Sequence, residues 1–101
     1  MCRLPKVIVV GPKERHTDLR RALSSLEYDI VAAVTSADEA AGIVADAAVA
    51  WEPDEKSVST LRTLGLKTVS IGPNAAGADL HLVPEDISQF KKRVWELFAP
   101  P

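Results

Sequence analysis

Cysteine is all but missing from this chain. The 101 residues include one, Cys2, so no internal disulfide can form and a cytoplasmic setting is the expectation. Cys2 has no histidine near it in sequence and does not read as a nucleophile. The opening residues run into a strand-like segment at Val7 and do not have the pattern of a signal peptide. Charge of one sign is also scarce. Twelve Lys and Arg against fourteen Asp and Glu give a formal net charge of −2, so nothing pulls the whole chain toward nucleic acid or an anionic membrane. No apolar run approaches the length of a membrane span. Histidine is limited to His16 and His81. Neither has a partner at metal-ligand spacing; His16 reads as a surface residue, and His81, within a strand, as a buried, satisfied polar side chain or one exposed at an edge. Glycine is too thinly spread for a dinucleotide fingerprint or a P-loop, since the Gly11-Pro12 loop offers one glycine where those motifs need several. Ser70 lies inside a strand-like run without a Gly-x-Ser-x-Gly elbow. These absences leave no cofactor, no metal and no catalytic pair to expect.

What is present is a regular alternation. The length suits one domain, residues 1–101, and can bury a core without disulfides or metal. Val7-Ile8-Val9-Val10 is a β-branched apolar run that stops at Gly11-Pro12 and reads as a strand buried on both faces. Leu19, Ala22, Leu23 and Leu26 recur at helical spacing. Ile30-Val31-Ala32-Ala33-Val34 is a second strand. Ser36, with Glu39 three residues on, predicts a capping box and a short helix over 37–45. Ala47-Ala48-Val49-Ala50-Trp51 is a third strand, alanine-rich and broken by Glu52-Pro53-Asp54. Val58, Leu61 and Leu64 mark a helix with Gly65 as its C-terminal stop. Thr68-Val69-Ser70-Ile71 is a fourth strand, ended by Gly72-Pro73. Residues 74–77 are too few for a full helix. Leu80-His81-Leu82-Val83 is a fifth strand. A last helix begins near Glu85 or Asp86, with Ile87, Phe90, Val94 and Leu97 as its buried stripe, and residues 98–101 read as the start of a linker. Buried strands alternating with one-sided helices require an α/β fold with a parallel sheet.

Five such units in about 100 residues fit a flavodoxin-like, doubly wound sheet of order 2-1-3-4-5, with the helix after strand 4 shortened or absent. Within that order several strings resemble the receiver (CheY-like) domain of bacterial response regulators. Leu19-Arg20-Arg21-Ala22-Leu23 followed by Tyr28-Asp29-Ile30-Val31 is similar to the family's first helix and second strand. Ser36-Ala37-Asp38-Glu39-Ala40 resembles the start of its second helix, and Gly77-Ala78-Asp79, then a strand and Pro84, its approach to strand 5. The departures fall on the chemistry. The resemblance implies an acidic pair after strand 1, where this chain has Gly11-Pro12. It implies a phosphoacceptor Asp ending strand 3, where Trp51 or Glu52 stands. It implies Ser or Thr ending strand 4, here Gly72, and Lys before the proline after strand 5, here Val83. None of the family's catalytic residues carries over. Phosphoryl transfer also needs a cation and clustered oxygen ligands, and Glu14, Glu52 and Asp54 on separate loops do not supply them.

The resemblance therefore implies a pseudo-receiver: a non-enzymatic interaction or regulatory module in bacterial signalling. Its partner would be a protein, a second copy, or another domain of a longer chain, with no role for nucleic acid or membrane. The alternative is a small-ligand-binding domain whose crevice, at the ends of strands 1, 3 and 4, is lined by Gly11, Trp51, Glu52 and Gly72. Lys91-Lys92-Arg93, diluted by Glu96, reads as a solvated helix face. Trp95 falls roughly 110° from the centre of the last helix's apolar stripe. With Phe98 it either forms an interface anchor or covers one end of the core.

Overall fold

In the computed structural model, which describes residues 5–23, 28–74, 77–90 and 92–93, five parallel strands form one sheet of order β2-β1-β3-β4-β5. They are β1 (Lys6–Val10), β2 (Asp29–Val34), β3 (Ala47–Trp51), β4 (Lys67–Ile71) and β5 (Leu80–Leu82), with helices α1 (His16–Leu23) and α2 (Glu55–Thr63) between them. This is the flavodoxin-like order, and no described residue between β4 and β5 is helical. Strand positions agree with the sequence pattern to within a residue or so at each end.

Period-2 alternation divides the core. Val7, Val9, Val49, Val69 and Ile71 point to one face, where Leu19 and Leu23 of α1, Tyr28 and Phe90 cover them. Ile8, Val10, Ala48 and Ala50 point to the other, under Ala37, Ala40, Leu61 and Leu66. Alanine is a poor strand former in isolation. In β3 it is favoured by its surroundings, because Ala48 and Ala50 share a cluster with Ala37 and Ala40 and small side chains let the covering turn approach. On β2 the register slips between Val7 and Ile8, so Val31 has no partner on β1. This β-bulge on an edge strand leaves Val31 42% exposed.

Two aspartates set the near ends of the strands. Asp46 donates its N–H to the Lys6 carbonyl, and its carboxylate accepts the Lys6 N–H at 2.7 Å. Asp79 does the same with Thr68, its carboxylate accepting that N–H at 2.9 Å. Each precedes a strand by one residue and closes a reciprocal pair with the strand beside it. The buried hydroxyls are satisfied too: Thr68 donates to the Leu66 carbonyl and Ser70 to the Asn74 carbonyl.

Several expectations are corrected. The helix over 37–45 is a single 3₁₀ turn, Ala37–Ala40. Ala41 is extended and Gly42 has φ +87, so the chain leaves the helical region at once. The capping box is absent as well: the Ser36 side chain makes no cap hydrogen bond, and Thr35 Oγ1 donates to Glu39 instead. α2 ends before Leu64, which is 41% exposed rather than buried. Leu66 N–H reaches the Leu61 carbonyl and Gly65 N–H the Arg62 carbonyl, the two bonds of a Schellman motif. Gly65 has φ +85, and Leu66 packs on Leu61 in Leu64's stead. The last helix opens as a 3₁₀ segment, Pro84–Gln89, kinked at Asp86, because Asp86 N–H bonds to the Val83 carbonyl and commits the first turn to i→i+3 spacing. β5 stops at Leu82. Leu26, Val94 and Leu97, and the side chain of Ile87, lie outside the described residues.

Tyr28 and Phe90 meet edge to face, with ring centroids 5.1 Å apart. The Tyr28 hydroxyl donates to the Leu23 carbonyl at the end of α1. We expect Phe90→Ala to lower unfolding free energy by about 3–5 kcal/mol and Tyr28→Phe by about 1 kcal/mol, as measured by equilibrium denaturation.

Candidate functional site

In a sheet of this order the chain runs outward in opposite directions from β1 and β3, and a crevice opens beyond their carboxyl ends. A cleft of about 330 Å³ lies there, formed by the residues after β1, β2 and β3 and by the first turn of α2. A second cleft, of about 400 Å³, runs along the side of α2 and past Gly77. It touches no strand end, so the switch-point cleft is the candidate site.

The cleft has a hydrogen-bonded floor. Gly11, Glu52 and Gly72, each one residue past a strand, donate their N–H groups to Val34, Ile71 and Leu82 at the ends of neighbouring strands. The two histidines clamp the same rim. His16 Nε2 lies 2.8 Å from the Gly11 carbonyl and 3.0 Å from the Val34 carbonyl. His81 Nε2 lies 2.7 Å from the Gly72 carbonyl. Carbonyls only accept, so Nε2 carries the proton in both rings. His16 is thus half-buried and structural rather than a surface residue, because its ring bridges the ends of β1 and β2. His81, half-buried, is a satisfied polar side chain, one of the two forms expected for it.

Both glycines sit where a side chain would be crowded. A Cβ on Gly11 would lie 3.0 Å from Trp51 Cβ, and one on Gly72 would lie 3.2 Å from Glu52 Cα. Glu52 itself has φ +44, a left-handed conformation that costs a side-chain-bearing residue about 1–2 kcal/mol. Its carboxylate is carried on an exposed residue at the cleft wall.

The electrostatics of the cleft are one-sided. Glu52 and Asp54 line it, with the hydroxyl-bearing Thr35, Ser36 and Ser57, and among the described residues no lysine or arginine lines it. Asp54 is the N-cap of α2, and its Oδ1 accepts the Ser57 N–H at 2.8 Å. Hydrogen bonding from Ser57 holds its carboxyl below the usual aspartate range. The helix terminus, which would otherwise attract an anion, is occupied by the chain's own carboxylate. At the rim the Arg15 guanidinium sits 5.2 Å from the centre of the Trp51 ring, within cation–π range.

Of the residues expected at the crevice, Gly11, Trp51 and Glu52 come together at the cleft. Gly72 supports Glu52 from behind and is not among the lining residues. Trp95 and Phe98 lie outside the described residues. Sequence reasoning did not find the roles of His16, Arg15 or Asp54. Only Asp54 left a readable signal, an N-cap residue type directly before a helical stretch. Among the described residues no group of three or more His, Cys, Asp or Glu is placed to hold a metal ion, and no helix is long and apolar enough to cross a membrane.

Comparison with protein-family models, with curated proteins and with solved structures gives no match. The site must be read from its geometry alone. That geometry is a hydrogen-bonded, acid-lined cleft with one aromatic face, unsuited to phosphate because the charged lining groups among the described residues are anionic and the helix N-terminus is already capped.

Two variants test the floor. Glu52→Gly should raise unfolding free energy by about 0.5–1 kcal/mol by relieving the left-handed strain. Gly72→Ala should lower it by about 2 kcal/mol, since Gly72 has φ +156, which side-chain-bearing residues rarely adopt, and the new Cβ would crowd the Glu52 backbone. A pH series tests the cap. A carboxyl held below its unfolded value contributes stability that is full at neutral pH and is lost as pH falls through the folded value. Asp54→Ala should therefore melt below the parent at neutral pH, and the gap should close on acidification below the ordinary aspartate range.

Proposed function

We propose that the domain is a receiver-like interaction module that works by docking to a protein, without phosphorylation and without catalysis of its own. The observation that carries this reading is the packing at the end of β3. Where the receiver resemblance would put a phosphoacceptor, the side chain of Trp51 stands over Gly11, and a Cβ added to that glycine would come within 3.0 Å of it. In-line phosphoryl transfer needs room for the transferring group, a cation beside it and positive charge on its oxygens. The cleft lining instead presents two carboxylates, and Arg15 is engaged with the indole. The bonded floor favours a preformed surface of the kind that docking uses. A role within bacterial signalling follows from the resemblance and belongs to the same proposal, as does a cytoplasmic setting. The second reading, a small-ligand-binding domain, is favoured by the open cleft, whose volume of about 330 Å³ falls at the small end of ligand sites.

Incubation with acetyl phosphate and magnesium, followed by intact-mass measurement, tests the reading. We expect no mass gain. A hydroxylamine-sensitive gain of one phosphate, lost in Glu52→Gln or Asp54→Asn, would overturn it.

A further inference from the structure

We propose that the switch-point cleft receives the guanidinium of an arginine side chain presented by an extended segment of the protein partner. The inference rests on the docking reading above and names the chemistry that the docking would use. Three independent features of the cleft converge on it. Among the described residues its charged lining groups are Glu52 and Asp54, both carboxylates, and Thr35, Ser36 and Ser57 add hydroxyl oxygens that accept hydrogen bonds. Trp51 supplies an aromatic wall, and the molecule already shows what that indole attracts: the guanidinium of Arg15, on the exposed turn Lys13–Arg15, lies over it at 5.2 Å. The cleft volume of about 330 Å³ falls at the small end of ligand sites and has room for one long side chain.

The competing occupants fit less well. An anion would meet two carboxylates and a helix N-terminus whose Ser57 N–H is already bonded to Asp54. A hard metal ion takes six or more oxygen ligands, and among the described residues no acidic group of three is placed to start such a shell. A planar guanidinium matches what is present. Its edge donates to carboxylates while its face stacks on an indole. The backbone of Glu52 adds to the argument. Glycine would relax its φ of +44, yet the chain carries a carboxylate-bearing residue there, lining the cleft.

The test is a titration of the isotope-labelled domain followed by amide and indole NMR. The probe is a capped Gly-Arg-Gly peptide, with Gly-citrulline-Gly as the isosteric uncharged control. The arginine peptide should shift the Trp51 indole, identified by its loss in Trp51→Phe, together with the amides of Glu52 and Ser57; the citrulline peptide should not. Asp54→Asn keeps an N-cap residue and should weaken binding about tenfold, the loss expected for one charge-assisted hydrogen bond. Glu52→Gly should weaken it similarly while melting higher than the parent, so that lost binding cannot be blamed on a lost fold. Agmatine should bind more weakly than the peptide. Equal binding of the citrulline peptide, calcium shifts at the same amides, or agmatine binding as tightly as the peptide would each overturn the proposal. Silence toward the arginine peptide in a domain that still refuses phosphate would overturn this inference and leave the docking reading standing. Phosphate uptake would overturn the docking reading itself.

Discussion

Three backbone hydrogen bonds at one edge of the sheet determine what this molecule can do. Gly11, Glu52 and Gly72 continue the ladder one residue beyond β1, β3 and β4 by donating to Val34, Ile71 and Leu82. A parallel sheet ordinarily releases its chain into loops at this edge, and the loops then move to suit a ligand. Here the first loop residue stays in the ladder, and His16 and His81 hold the carbonyls of the two glycines from the other side. Beyond the last strand residues a Cβ on Gly11 would lie 3.0 Å from Trp51 Cβ and one on Gly72 would lie 3.2 Å from Glu52 Cα, so a larger residue at either place would require its neighbour to shift. The side chains of the cleft therefore stand on a fixed base.

This constraint links packing to function. The space at the end of β3 is taken by the side chain of Trp51 beside Gly11, and Glu52, which follows with a left-handed backbone, lines the cleft. Strain of that kind persists when surrounding contacts over-determine it, and it concentrates where a side chain is needed in a set direction. The acidic lining and the self-capped α2 make the cleft a poor host for phosphate, the usual occupant of helix N-termini at such switch points. What is left is a surface suited to recognition, acidic with one aromatic face. The reading as a docking module and the assignment of a basic side chain to its cleft both grow from that character.

Much of the architecture was legible because it rests on short-range rules. Four β-branched or apolar runs stopped by Gly-Pro, Glu-Pro or a lone proline give strands at the right positions, and the alternation of Val7 and Val9 with Ile8 and Val10 gives a sheet covered on both faces. The alanine-rich β3 shows the limit of propensity, since its place in the sheet depends on Ala37 and Ala40 from elsewhere in the chain. The 37–45 segment was misread because a capping-box spacing does not reveal that Glu39 will bond Thr35 or that Gly42 will turn left-handed. At the site, Gly11, Trp51 and Glu52 were readable from their positions at strand ends. The clamps by His16 and His81 and the Arg15–Trp51 stack were not, because each joins residues from different loops that only the folded sheet brings together. Asp46 and Asp79 were hidden in the same way: in sequence they are loop acids, and in the fold they begin strands.

A docking surface of this kind depends on a rigid cleft floor, and native-state amide hydrogen exchange reads that rigidity directly. The N–H groups of Gly11, Glu52 and Gly72 should exchange as slowly as those of Val9 and Val49 in the central strands, opening only with the whole domain. Exchange of these three amides at the rate of the exposed turn at Asp38 and Glu39 would show that the strand ends open locally. The cleft would then have no fixed floor, and the docking surface argued from it would be contradicted.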